Sequence, residues 1–314
     1  LLCNDKKSLQ DRVKDKTLPA IRVSEKMSYY RTLNLLKEPF STSPDPAFFY
    51  QSTHHRAALA NILIELRLKR GLNVVLGDIG TGKTTLGRKL IQMMKEREGF
   101  LFHIILNPFY PTEELFFDAL CRRLGIQLQS AAPTIVDYSE ALERFLFQKA
   151  VEEKQTVTLI IDEAHKLTPS SLEALRILLN YETNDTKLLQ LILLGQIELL
   201  PLIESMPNLN DRVSLRCMIK PISLVETEEM IEFRLNEAGY ADGTLFTKEA
   251  VAEIYRITGG YPRRISLLCH KALRMLVMTK GTLVDEDLIN KVIDQEKEGG
   301  WAPIRTLQKN VYCA

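Results

Sequence analysis

The residues best placed to do chemistry are Gly77, Asp78, Ile79, Gly80, Thr81, Gly82, Lys83, Thr84 and Thr85. Their spacing is G-x-x-x-x-G-K-T. They lie between the apolar run Val74-Val75-Leu76 and a helix-patterned segment from Leu86 to Lys95. A strand before and a helix after are what this spacing needs to be a phosphate-binding P-loop. Glycines let the backbone curl until successive N–H groups face inward, and a helix N-terminus adds its partial positive charge. In such a loop Lys83 reaches the β- and γ-phosphates, and the Thr84 hydroxyl sits on Mg²⁺.

A second chemical signal follows at Val157-Thr158-Leu159-Ile160-Ile161-Asp162-Glu163-Ala164-His165. An aliphatic strand that ends in two carboxylates, with two helices and a strand between it and a P-loop, reads as a Walker B element. Asp162 then orients the metal through water, and Glu163 polarises the water that attacks the γ-phosphate. His165 completes an Asp-Glu-Ala-His run and reads as a local hydrogen-bonding residue. The aliphatic run Leu188 to Leu194 ends in Gly195-Gln196. Gln196 would lie beside the loop, able to hold the attacking water or touch the γ-phosphate. Arg212 and Arg216 precede a short strand over Cys217 to Ile219. Either one projects into a neighbouring subunit's site, where a planar charge stabilises the transition state, or it pairs at the surface with Asp211. Gly259-Gly260-Tyr261-Pro262-Arg263-Arg264 sets two arginines at a helix N-terminus, against the helix dipole, which a nearby anion would explain.

These groups need a scaffold, and the hydrophobic pattern supplies one. Strands over Asn73–Leu76, Leu101–Leu106, Val157–Ile161, Leu188–Leu194 and Cys217–Ile219 alternate with amphipathic helices. One helix runs from Ser52 to Arg70, another from Thr84 to Arg97, and a third opens at Thr112. A fourth is capped by Asp137, and a fifth starts at Thr168-Pro169. After Pro221 only helices follow, over Glu226–Ala238, Thr247–Ile257, Pro262–Met278 and Asp285–Lys297. Ahead of the first strand, Pro44-Asp45-Pro46 fixes an extended stretch that ends in Phe48-Phe49-Tyr50, which packs in a core or walls an adenine.

The 314 residues allow one large and one smaller unit. A net charge of +1 gives no global field to attract nucleic acid or an anionic membrane. Five scattered cysteines, with no C-x-x-C pair, indicate neither a disulfide frame nor a zinc site. No apolar run reaches the length of a membrane span, and Asn4-Asp5-Lys6-Lys7 interrupts any signal-peptide core. The expectation is a soluble, cytoplasmic protein.

The order of motifs resembles the AAA+ ATPases. P-loop, Asp-Glu strand end, polar residue after the next strand, arginine before the last strand, and Gly-x-Pro-Arg beyond it follow in that sequence. The implied fold is α/β, a five-stranded parallel αβα sandwich followed by a small all-helical lid. By that resemblance Gln196 is sensor 1, Arg212 the trans arginine finger with Arg216 as fallback, and Arg263 sensor 2 with Arg264 as fallback. The expected organisation is a poorly ordered tail over 1–26, a segment over 27–55 near the nucleotide, an ATPase domain over 56–222, a lid over 223–298 and a tail over 299–314. The implied ligands are ATP and Mg²⁺, and the implied assembly is a homo-oligomer with nucleotide at its interfaces.

A narrower likeness rests on Glu38-Pro39-Phe40, Pro44-Asp45-Pro46, Phe49-Tyr50 and His55, followed by the P-loop, Leu194-Gly195-Gln196-x-Glu198-Leu199 and Gly259-Gly260-Tyr261-Pro262-Arg263. These resemble the ATPase domain of the general secretion pathway protein A family, the ExeA type, over roughly residues 27 to 297. Members that act in secretion continue into a membrane span and a periplasmic peptidoglycan-binding region, and related ATPases accompany exopolysaccharide systems. The resemblance implies a protein partner in envelope assembly or export. The alternative is a DNA-dependent ATPase that regulates transposition, which an ATP-dependent, salt-sensitive gel shift would separate from the first.

Overall fold

Parallel strands covered on both faces read as near-continuous apolar runs, and the chain supplies such runs, broken by Asn73, Thr156, Thr158 and Gln190. A computed structural model describes residues 29–298 except 96, 129, 131, 185, 186 and 242. The expected tails over 1–26 and 299–314 lie outside the described residues. Strands β1 (Leu72–Gly77), β2 (Phe100–Ile105), β3 (Thr156–Ile161), β4 (Leu189–Gly195) and β5 (Val213–Ile219) form one sheet in the order β2-β3-β4-β1-β5. Every pairing is parallel. All residues of β1, β3 and β4 are buried.

After a short α1 (Tyr29–Thr32), the helices flanking the sheet are α2 (Thr53–Leu68), α3 (Lys83–Met94), α4 (Glu113–Leu124), α5 (Ile135–Phe147) and α6 (Pro169–Leu178). Ile62 and Leu66 of α2 and Leu86 and Leu90 of α3 pack with Val75, Ile160 and Ile192 of the sheet. Phe116 and Leu120 of α4, Leu142 of α5 and Leu172 and Leu175 of α6 pack with Val74, Leu159 and Leu193. Side chains alternate between faces along a strand, so neighbouring strand residues feed different cores. Short helices α7 (Leu199–Glu204) and α8 (Pro207–Asn210) lead into β5.

Beyond β5, helices α9 (Leu224–Glu237), α10 (Lys248–Thr258), α11 (Pro262–Met278) and α12 (Glu286–Glu298) enclose a separate core. It includes Ile231, Leu235, Ile254, Leu268, Leu276 and Ile289, and it also receives Phe40 from the segment ahead of α2. The segment is tied down by backbone as well, through Leu36 N–H to the Ala238 carbonyl at 2.8 Å.

Three local expectations are corrected. Asp137 does not cap α5: Thr134 is the N-cap, and Asp137 sits at the third helical position, returning a hydrogen bond in a capping box. The last strand starts at Val213, not Cys217, so Arg216 lies inside it. The alternating exposure of β5 (Ser214, Arg216 and Met218 outward) hides it from a search for continuous apolar runs. The helix expected from Thr84 to Arg97 runs from Lys83 to Met94.

Candidate nucleotide-binding site

Register brings the chemical groups to one edge of the sheet. Leu76 of β1 pairs with Gly195 of β4, and Ile161 of β3 pairs with Leu193 of β4. The P-loop, the Asp162-Glu163 pair and Gln196 therefore all leave the carboxyl ends of adjacent strands, the side of an open parallel sheet where ligands bind.

Within the loop, Gly80 and Gly82 have φ of +84° and +99°. A Cβ at Gly80 would come 2.9 Å from Cβ of Arg263, and one at Gly82 would come 3.0 Å from Nε2 of His55. Both the conformation and the closeness of neighbours exclude larger residues. Lys83 is only 6% exposed. Its Nζ donates to the carbonyls of Gly77 at 2.7 Å and Asp78 at 2.9 Å. Burial lowers its pKa, while the charges of Glu163 and Asp162 act the other way. The Thr84 hydroxyl donates to Asp162 Oδ2 at 2.5 Å and so joins the P-loop to the end of β3. Burial raises the pKa of Asp162, opposed by the hydrogen bond from Thr84.

Glu163 is a non-glycine residue at φ +53°, a conformation of the kind that collects at functional sites. Its carboxylate stands 3.5 Å from Lys166 Nζ and 3.6 Å from His165 Nε2. His165 accepts from the Gln196 N–H at 3.4 Å, and its Nε2 lies 3.0 Å from the Gln196 side-chain amide. The Asp-Glu-Ala-His histidine thus connects Glu163 to Gln196.

A cavity of about 300 Å³ is lined by Lys83, Thr84, Glu163 and Arg263 together with the aromatic residues Phe48, Phe49 and Tyr50. The Arg263 N–H donates to the Gly80 carbonyl at 3.2 Å. Arg212 and Arg216 lie elsewhere. Arg212 precedes Val213, which pairs with Leu72 at the start of β1, whereas the P-loop leaves the other end of that strand. Six strand residues separate the two by roughly 20 Å. Arg212 donates to the Asn208 carbonyl at 2.6 Å and to Asn180 Oδ1, and its Nε is buried without a partner. Arg216 donates to Asn210. The hydrogen bonds that hold both arginines thus run to asparagines and backbone.

Two residues of this site, His55 and Tyr261, fall within the matched motifs but receive no task from them. His55, 1% exposed, donates from Nε2 to the Thr81 carbonyl at 2.8 Å and pairs with Ser52 Oγ at 2.8 Å. Phe49 meets its ring edge-on at 4.8 Å. The signal available was the Ser52-x-x-His55 spacing, which is that of a capping box and is one in the structure. Tyr261 donates to Asp78 Oδ2 at 2.8 Å, and the Arg264 guanidinium stacks 4.6 Å from the Tyr261 ring centroid.

The donors fit a magnesium nucleotide. Mg²⁺ takes oxygen ligands and is commonly held by one or two carboxylates plus substrate phosphates. Thr84 and Asp162 offer that set, and the described residues contain no cluster of three or more His, Cys, Asp or Glu that would cage a metal alone.

Sheet order, P-loop and carboxylate pair define an α/β P-loop NTPase of the AAA+ type. A family model described as AAA domain matches residues 66–203. Cdc6p from Pyrobaculum aerophilum superposes with a TM-score of 0.65 at 18% identity, covering 83% of this chain and 71% of that one. The Aeropyrum pernix ORC2 protein gives 0.61 at 16% identity, covering 82% and 71%. At these identities the likeness is one of fold. In sequence the chain is similar to general secretion pathway protein A of Aeromonas hydrophila, with 34% identity over 247 residues. The match takes in 78% of this chain and 44% of that protein, so the chain spans less than half the length of this relative. The chain has an AAA+ fold with an AAA domain matched over residues 66–203, and it resembles the ExeA-type ATPase region. No helix among the described residues is long and apolar enough to cross a membrane.

Proposed function

We propose that this chain binds ATP with Mg²⁺ and hydrolyses it, and that the resulting change in lid position drives a protein partner in envelope assembly or export. One observation carries the hydrolysis reading: the 2.5 Å bond from Thr84 to Asp162 sets the P-loop against a strand end whose next residue, Glu163, shares a cavity with Lys83 and Arg263. Thr84 and Asp162 would hold Mg²⁺, which neutralises charge that develops on the phosphates. Residues 77–85 cradle the phosphates, with Lys83 moving from its own loop's carbonyls to phosphate oxygens. Glu163 activates water, and Gln196, steadied by His165, orients it. Arg263 senses the nucleotide from the lid. Arg212, far from its own loop, would complete a neighbour's site in a homo-oligomer. In this reading residues 56–222 are the ATPase domain, 223–298 the lid and 27–55 a segment joining them.

Similarity to general secretion pathway protein A supports a secretion setting; an exopolysaccharide system as the alternative setting and the cytoplasm as the place of hydrolysis are part of the proposal. The test is magnesium-dependent phosphate release with a Glu163→Gln variant beside the unaltered chain. The variant should keep ATP affinity within about twofold and lose turnover by about 10²- to 10⁴-fold. Full turnover in the variant would remove Glu163 from that role.

A further inference from the structure

Arg234, in the last turn of α9, has an unusual set of partners. Its guanidinium donates to three backbone carbonyls, those of Phe48 at 3.1 Å, Pro39 at 3.3 Å and Ser41 at 3.4 Å, and to Ser266 Oγ of α11 at 3.0 Å. All four acceptors are neutral. The planar fork suits this task, since it can span several acceptors at fixed angles, and a charged donor strengthens each bond. Burial draws the Arg234 pKa down to about 10, so the group keeps its charge at neutral pH.

The three carbonyls belong to a strap, residues 39–48, whose regular structure is limited to a single 3₁₀ turn over Pro46–Phe48. That strap and the residues just after it supply Pro44, Phe48, Phe49 and Tyr50 to the cavity that contains Lys83 and Thr84. An aromatic and prolyl surface beside a phosphate loop suits a flat heterocycle. Yet an irregular segment holds such a surface in place only if other elements fix its backbone. Here α9 does so repeatedly: Glu226 accepts from Thr53 N–H at 2.8 Å, Glu229 accepts from the Tyr50 hydroxyl, and Arg234 holds both ends of the strap. From the sheet side Arg88 of α3 donates to the Pro44 carbonyl at 2.9 Å, and Phe49 packs against His55 and in the core shared by α2, α3 and the sheet.

We propose that Arg234 is the positioning residue for the base-binding wall of the nucleotide site. It locks the strap carbonyls to α9 and α11 and so places Phe48, Phe49 and Tyr50 over the heterocyclic base. The inference rests on the nucleotide reading given above, and it deepens that reading from phosphate to base.

Comparing ATP with inorganic tripolyphosphate by calorimetry on the full chain tests it, because the second ligand has phosphates and no base. Arg234→Met should weaken ATP binding by about tenfold or more while changing tripolyphosphate affinity by less than about twofold. Arg234→Lys, which can keep one or two of the four bonds, should fall between. Equal loss for both ligands, or loss for neither, overturns the proposal. If Arg234→Met does not fold, Arg234→Lys and Ser266→Ala carry the test, with the same ATP-selective loss on a smaller scale. Lys83→Ala separates the two readings. If it weakens both ligands while the Arg234 variants weaken neither, only the base-wall inference fails. If Lys83→Ala weakens neither ligand, the nucleotide reading fails and takes this inference with it.

Discussion

Acid should destabilise this protein in part through the ring of His55. Its Nδ1 receives the Ser52 N–H at 3.3 Å and its Nε2 donates to the Thr81 carbonyl, an arrangement that only the neutral imidazole satisfies. Burial pulls its pKa from 6.5 to about 4, with the bond to Thr81 opposing. Between those two values the unfolded chain holds a proton that the folded chain excludes. Stability from this group is therefore complete above pH 6.5, and it is lost as pH falls toward 4. From pH 7 to pH 5 the loss is about 2 kcal/mol, a fall of about 4–8 °C in Tm. Carboxylates titrate in the same range, so the measurement is a comparison with His55→Gln, which cannot titrate. At pH 7 the variant should be less stable by about 1–3 kcal/mol, because the buried Thr81 carbonyl loses a well-placed donor. By pH 5 the gap should close by about 2 kcal/mol. Urea unfolding followed by circular dichroism at pH 7, 6 and 5 reads both curves. Parallel pH profiles for the two proteins would refute the assignment of a buried neutral imidazole.

Two further outcomes are expected of the catalytic reading. Lys83→Ala should weaken ATP binding by about 10- to 100-fold, the worth of one or two lost bonds to a charged donor; titration calorimetry showing unchanged affinity would sink the P-loop assignment. Arg212→Ala protein mixed with Lys83→Ala protein should recover part of the hydrolysis that each lacks alone, since one supplies an intact loop and the other an intact finger. Absence of recovery between two folded proteins counts against the trans role.

The sheet was legible because its strands obey a rule that leaves a mark in one dimension. A strand covered on both faces is buried along its length and reads as a near-continuous apolar run; β1, β3 and β4 are buried throughout, interrupted by the polar residues Asn73, Thr156, Thr158 and Gln190. Strand β5, at the edge, has one face open, so only its last three residues could be read from the sequence. The P-loop and the Asp162-Glu163 pair were legible for another reason: their chemistry depends on contiguous residues at fixed spacing. His55, Tyr261 and Arg234 were not, because their tasks are defined by partners 26, 183 and 186 positions away in the chain. Gln196 falls between. Its place after β4 could be read from the chain, but its bond to His165 could not.

Those distant partners explain why the loop keeps its curl. Five of the six P-loop carbonyls from Gly77 to Gly82 have a donor: Gly77 and Asp78 from Lys83 Nζ, Gly80 from the Arg263 N–H, Thr81 from His55, and Gly82 from the Leu86 N–H. Buried backbone carbonyls must find such partners, and meeting that need with these donors leaves the loop's N–H side for an anion. The donors come from α2, from α11 and from Lys83 and Leu86 of α3, so the curl depends on all three helices being in place. Lys83 is the exception that gives the arrangement its function. Its ammonium is held by two neutral carbonyls under a burial that disfavours its charge. Phosphate oxygens brought within its reach would reverse that penalty, so Lys83 is the member of the set with most to gain by changing partners.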